Sequence, residues 1–152
     1  METRKRLRLP AYDYTRTGPY FVTICLSDRT PLFGTVDGHE MRPSPHGVIV
    51  AAEIRRLEER FAGVTTDFAI VMPDHAHLIV AFGVPTRRLG TVVGSLKATS
   101  AREINRLRGT TGTQLWQRGY HEHVIRDETD LDRIREYIAT NPIRWTLRHG
   151  SP

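Results

Sequence analysis

The chain has 152 residues, 39% of them hydrophobic, which suits one compact domain with its own core and leaves no room for a second. Its formal charge of +5, carried almost entirely by arginine, favours an anionic partner such as nucleic acid, although a merely soluble surface fits the same number. One cysteine cannot build a disulfide framework, and no apolar run is long enough for a signal peptide or a membrane span, so the expectation is a cytoplasmic protein away from membranes.

In chain order, residues 1–19 form a basic arm, Arg4-Lys5-Arg6-Leu7-Arg8, and a polar, aromatic lead-in; the single folded domain is expected over 20–148. Tyr20 to Ser27 is β-branched and alternating, hence a strand, with Cys25 a buried thiol. Leu32 to Val36 reads as a small added strand ending in an Asp37-Gly38 turn. Pro45 opens a helix that buries Val48, Ala51, Ile54, Leu57 and Phe61 and turns Glu53, Arg55, Arg56 and Glu59 outward. Val64 to Met72 and His77 to Phe82 flank Pro73-Asp74 as the arms of a hairpin. A second helix, Leu89 to Arg106, buries Val92, Val93, Leu96, Ile104 and Leu107 and presents Arg87, Arg88, Lys97, Arg102 and Arg106. After the Gly109 to Gly112 loop, Leu115 to Arg126 is expected as a strand, and Asp127 or Thr129 caps a last helix that Pro142 stops at Asn141. The order predicts an α+β, ferredoxin-like split βαβ sandwich: a central antiparallel sheet with helices on one face, the other face open, and one extra terminal helix.

Two sequence features carry chemistry. His75-Ala76-His77 has strand spacing, so both imidazoles project from one face and can reach a common ion. Tyr137 and Asn141 lie one helical turn apart at the border of an apolar stripe, where a tyrosine fits either the core or a cleft edge and the asparagine fits either a ligand or a helix C-terminus. A metal beside a tyrosine suggests phosphoryl transfer. A second pair, His121-Glu122-His123, shares the strand spacing but has a carboxylate between its rings; donors that orient the metal ligands, phosphate contacts and buried hydrogen-bonded residues all fit it.

The whole chain resembles the REP-associated tyrosine transposases, a branch of the single-tyrosine HUH transposases. The likeness is carried by Leu9-Pro10-Ala11-Tyr12-Asp13-Tyr14, Tyr20-Phe21-Val22-Thr23-Ile24-Cys25, Val71-Met72-Pro73-Asp74-His75-Ala76-His77, Gly94-Ser95-Leu96-Lys97, Leu115-Trp116-Gln117-Arg118, and Ile134-Arg135-Glu136-Tyr137-Ile138 with Asn141-Pro142. The resemblance implies a ferredoxin-like nuclease domain in which His75, His77 and Asn141 hold a divalent cation, Mg²⁺ or Mn²⁺, and Tyr137 cuts single-stranded DNA through a 5′-phosphotyrosine link. Its implied targets are palindromic repeats that fold into hairpins. Ala76 departs from the bulky residue usual between the histidines, and Asn141 stands where related transposases often carry Gln.

Phosphate contacts are expected from Arg4, Lys5, Arg6, Arg8, Lys97, Arg102 and Arg118, with Tyr12, Tyr14 and Trp116 as stacking candidates, Trp116 also fitting the core. Two rival readings remain at this stage: a zinc hydrolase using His75, His77 and one of His121 or His123, and a DNA-hairpin-binding module without catalysis. The chain could work as a monomer or as a homodimer that exchanges the tyrosine helix.

Overall fold

The computed structural model describes residues 19–83 and 88–149. Within them the chain forms β1 (Tyr20–Cys25), β2 (Gly34–Asp37), β3 (Glu40–Pro43), α1 (Pro45–Arg60), β4 (Val64–Met72), β5 (His75–Phe82), α2 (Leu89–Arg108), β6 (His121–Val124), α3 (Glu128–Ala139) and α4 (Asn141–His149). Strands β4, β5, β1 and β6 lie in that order in one antiparallel sheet, the ferredoxin-like arrangement expected from the element order. The short β2–β3 hairpin stands apart from it.

Each element has a local cause. Ser44 caps α1 by accepting the Gly47 N–H at 3.2 Å, and Pro45 occupies its first turn, where a missing N–H costs nothing. Position 47 needs glycine because a Cβ there would sit 2.2 Å from the Phe33 carbonyl oxygen. α2 ends at Gly109, whose left-handed φ of 69° closes the helix. Asp127 caps α3 by accepting the Asp130 N–H at 2.8 Å.

Every residue of β5 is buried, because both faces of the sheet are covered. On one face Ala76, Leu78, Val80 and Phe82 join Val22, Ile24 and the apolar sides of α1 and α2. On the other, Ile79 meets Ile125, Leu131, Ile134 and Ile138 of the α3 segment, backed by Phe21, Phe68 and Ile70. The expectation of a fully open second face is therefore corrected: α3 lies across it, and only the histidine end of that face is left for chemistry.

A buried ion pair fixes α3 there. Arg135, 7% exposed, donates from Nε to Asp67 Oδ2 at 2.7 Å, and Asp67 is 1% exposed. Asp67 lies where the β4–β5 register shifts between Thr66 and Ala69. Such a bulge flips side-chain parity, so Thr66 and Ala69 both face the α1–α2 core although they are three residues apart.

Four further expectations change. Leu115 to Arg126 is not one strand: Trp116 makes an isolated bridge to Leu26, Gly119 turns the chain with φ 74°, and only His121–Val124 joins the sheet. The hairpin strand near Leu32 starts at Gly34 and gains a partner in β3. Val48 is 51% exposed, while Glu53 is buried, because the α1 stripe runs through Gly47, Val50, Ile54 and Leu57 and Arg56 and Arg60 neutralise the carboxylate; Leu107, in the last turn of α2 beyond the buried Ile104 and Asn105, is 56% exposed. The last helix does not end at Asn141. Thr140 breaks it, and the chain re-enters helix as α4, with Pro142 in the first turn where its missing N–H is harmless. Among the described residues, no helix is long and apolar enough to cross a membrane.

Candidate active site

His75 and His77 sit at the start of β5, each 5% exposed, with ring centroids 4.7 Å apart. Their strand spacing puts both on the α3 side of the sheet, as the sequence predicts. Each ring is held through Nδ1. His75 Nδ1 lies 2.7 Å from Asp74 Oδ1, and His77 Nδ1 lies 2.8 Å from Thr23 Oγ1, its neighbour across the β1–β5 ladder. With His75 donating from Nδ1 to a carboxylate, Nε2 keeps its lone pair, the tautomer a metal ligand needs. Burial, reinforced by the nearby His75 and Arg144, pushes the His77 pKa down to about 3, so this ring is neutral at physiological pH.

Asp74 is itself oriented. Burial works to raise its carboxyl pKa, but the hydrogen bonds from His75 and Arg29 outweigh it and hold the group below the usual carboxylate range. Arg29 Nε reaches Asp74 Oδ2 at 2.9 Å. The turn between β4 and β5 is also tied down by backbone, with Leu26 N–H donating to Asp74 O at 2.9 Å and Phe33 N–H to Pro73 O at 3.0 Å.

Tyr137 closes the site from α3. Its ring centroid is 5.7 Å from His77 and 5.9 Å from Phe21, both edge-on, and the residue is 44% exposed. It is a cleft-border residue, the alternative that periodicity left open. The Arg144 guanidinium lies over the ring at 3.8 Å and donates to the Tyr137 carbonyl and to Thr140 Oγ1, tying the start of α4 to the end of α3. One turn beyond Asn141, Trp145 stands 6.2 Å from His75 and stacks on His149 at 3.9 Å.

Asn141 therefore lies between two residues that touch the two histidines. It is 1% exposed, and its Oδ1 has no hydrogen-bond partner. An orphaned buried carbonyl is costly and rare. The donor set of two imidazoles and one unengaged amide oxygen is of the kind that fits a divalent cation such as Mg²⁺ or Mn²⁺.

The other predicted residues scatter. Arg4, Lys5, Arg6, Arg8, Tyr12, Tyr14 and Arg87 lie outside the described residues. Lys97 donates to the carbonyls of Gln117 and Gly119, both at 2.7 Å, and Trp116 Nε1 donates to Ser100 Oγ at 3.0 Å, so the two motifs Gly94–Lys97 and Leu115–Arg118 face each other as a joint between α2 and the loop after it. Arg102 lies on α2, across the sheet from the histidines, and Arg118 is exposed in that loop. Trp116 is core, 4% exposed. Cys25 is buried, and burial raises its thiol pKa.

His121 pairs with Thr23 across β1–β6, and His123 with Phe21, which puts both on the histidine face. His123 Nε2 is 2.8 Å from Asp130 Oδ2. Among the described residues no group of three or more His, Cys, Asp or Glu side chains is placed to share a metal, which removes the three-histidine zinc arrangement. Sequence reasoning did not single out Thr23, Arg29, Asp74 or Arg144 as parts of the site. Asp74 carried a signal, a carboxylate directly before the first histidine; Arg29 and Arg144 carried none.

A family model for IS200-like transposases matches residues 50–141, a span holding His75, His77, Tyr137 and Asn141. Among relatives, a Haemophilus influenzae (strain ATCC 51907 / DSM 11121 / KW20 / Rd) protein without a characterised function is 32% identical over 166 residues, covering 93% of this chain and 89% of its own length. A second protein of that organism, provisionally named a REP-associated tyrosine transposase, is 29% identical over 141 residues, covering 87% and 74%. Two solved structures share the fold. One, a REP-associated tyrosine transposase bound to a REP hairpin, has a TM-score of 0.64 at 19% identity over 95% of this chain and 74% of that one. The other, a protein from Deinococcus radiodurans R1 provisionally described as a transposase, has a TM-score of 0.57 at 21% identity over 88% and 95%. With the family model covering more than half of its length, including His75, His77, Tyr137 and Asn141, the chain belongs to the IS200-like transposase family.

Proposed function

We propose that this transposase cleaves and rejoins single-stranded DNA beside REP-type hairpins, with Tyr137 as nucleophile and His75, His77 and Asn141 as ligands of Mg²⁺ or Mn²⁺. The observation that carries the reading is the edge contact of Tyr137 with His77, beside a buried Asn141 carbonyl that has no partner. The hairpin target is supported by likeness to a REP-associated transposase bound to such a hairpin.

When bound, the cation would neutralise and orient the scissile phosphate. The chain's own residues do the rest. Asp74 and Thr23 hold the rings of His75 and His77 at Nδ1, which leaves Nε2 as the atom each ring would offer the cation. Phe21 and Arg144 hold the Tyr137 ring from its edge and its face. The phenolic oxygen attacks phosphorus, the bond from phosphorus to the 3′ oxygen breaks, and that oxygen leaves as a hydroxyl with the proton the phenol gives up. The phosphoryl energy is kept in the tyrosyl ester, so a 3′-hydroxyl can reverse the step and join strands without ATP.

The test is a hairpin oligonucleotide with a single-stranded flank, incubated with the chain and Mn²⁺ or Mg²⁺. A shortened strand ending in a 3′-hydroxyl is expected with metal, none after chelation, and none with Tyr137→Phe. Hairpin binding without cleavage under either metal would leave a binding module in place of the nuclease.

A further inference from the structure

The His121-Glu122-His123 motif is left unused by the chemistry above, and the structure surrounds its second histidine with a groove that begins at Tyr137. Asp130, 8% exposed, gathers three donors: His123 Nε2 at 2.8 Å, the Arg126 backbone N–H at 3.3 Å, and the Arg133 guanidinium. Two hollows meet at this cluster. One, of about 370 Å³, is lined by Phe21, His123, Arg133, Ile134 and Tyr137. The other, of about 490 Å³, is bordered by His123 and Arg133 again and continues past Arg126 and Thr129. Their volumes are within the range of small-ligand sites.

The two ends differ in chemistry. Next to Tyr137 the lining is apolar and aromatic, a surface for a nucleobase. Beyond His123 it carries guanidinium groups. The two carboxylates there are occupied, Asp130 by its three donors and Asp127 as the α3 cap accepting the Asp130 N–H. Arg133 is 72% exposed along its side chain and spends only part of its five-donor fork on Asp130. Arg126 is exposed, and only its backbone is engaged with that carboxylate.

We infer that this groove is a nucleotide subsite: the base adjoining the scissile phosphate lies against Phe21, Ile134 and Tyr137, and the next phosphates along the strand meet Arg133 and Arg126. His123, with Nε2 held by Asp130, keeps Nδ1 for a base edge or a phosphate oxygen. The inference rests on Tyr137 as the cleaving residue, since that sets which end of the groove faces the reacting phosphate.

Binding is measured with a short fluorescein-labelled oligothymidine that cannot form a hairpin, on the full chain carrying Tyr137→Phe so that no cleavage intervenes. On single strands each phosphate contact contributes about 0.7 to the slope of log affinity against log salt. Arg133→Ala and Arg126→Ala are each expected to flatten that slope by about 0.7, whereas Arg133→Lys, which keeps the charge, and Arg55→Ala, on α1 across the sheet, keep the parent slope. A parent slope in either alanine variant overturns the subsite even if affinity falls, because a purely structural loss weakens binding at all salt concentrations alike. Equal flattening in Arg55→Ala overturns it too. A groove that passes this test in a chain that forms no tyrosyl adduct is still a single-strand-binding groove, but its place beside a scissile phosphate falls with the nuclease reading.

Discussion

Arg29 holds φ at 59°, a left-handed conformation that costs a non-glycine residue about 1–3 kcal/mol. Its guanidinium ends on Asp74, and Asp74 ends on His75, so the strained turn secures one ring nitrogen in the donor role and leaves the other for the proposed cation. Groups of this kind typically govern metal affinity by about 10–100-fold. Arg29→Ala and Asp74→Ala are each expected to weaken Mn²⁺ binding within that range, read by titration of the purified chain, with Asp74→Asn retaining part of it. Unchanged affinity in Asp74→Ala would show that the ring needs no such support. The shared face of the histidine pair was legible in the sequence because strand periodicity fixes which way a side chain leaves the backbone, whereas helix periodicity left Tyr137 between core and cleft edge and only the family resemblance singled it out. Arg29 was not legible, since a single strained φ and a contact spanning 45 residues leave no periodic trace.

Between α3 and α4, the sequence showed Pro142 as a stop signal, whereas the structure uses it to restart the helix one residue later. Asn141 thereby becomes the first residue of α4, buried, and lies in the chain between Tyr137 and Trp145, whose rings stand near the two histidines. What docks this segment is the Asp67–Arg135 pair, two residues before the tyrosine. In sequence Arg135 looks like one more surface charge; the β4 register shift that brings Asp67 to it depends on pairing between strands, which local patterns do not encode. Removing one partner of a buried pair strands the other charge, so Arg135→Ala is expected to lower unfolding stability by about 3–5 kcal/mol in a denaturant titration. A loss under about 1 kcal/mol, the range of exposed pairs, would place this contact in solvent rather than in the core. Leu115 to Arg126 was misjudged for a related reason: the apolar residues Leu115 and Trp116 are buried by α2 and a single bridge, not by a continuous ladder.

Across the molecule, the four-stranded antiparallel sheet and the helices α1 and α2 on one of its faces follow from the alternation of apolar periods along the chain, and these were readable before any coordinates. The covering of the second sheet face was not, because an amphipathic helix states which side it buries and not what it buries it against. That covering carries a prediction: α3 is anchored to its own sheet by the buried Asp67–Arg135 pair, and Tyr137 lies against His77. One copy is therefore expected to suffice, and a mixture of Tyr137→Phe with His77→Ala chains should form no covalent product above either alone. Restored activity in the mixture would mean that tyrosine and histidines come from different copies. The decisive measurement is mass analysis of protease fragments after reaction with the hairpin substrate and Mn²⁺. The fragment containing Tyr137 should carry the mass of the cleaved strand's 5′-phosphate portion, and adduct mass on any other residue, or on the Tyr137→Phe chain, would contradict the proposed site.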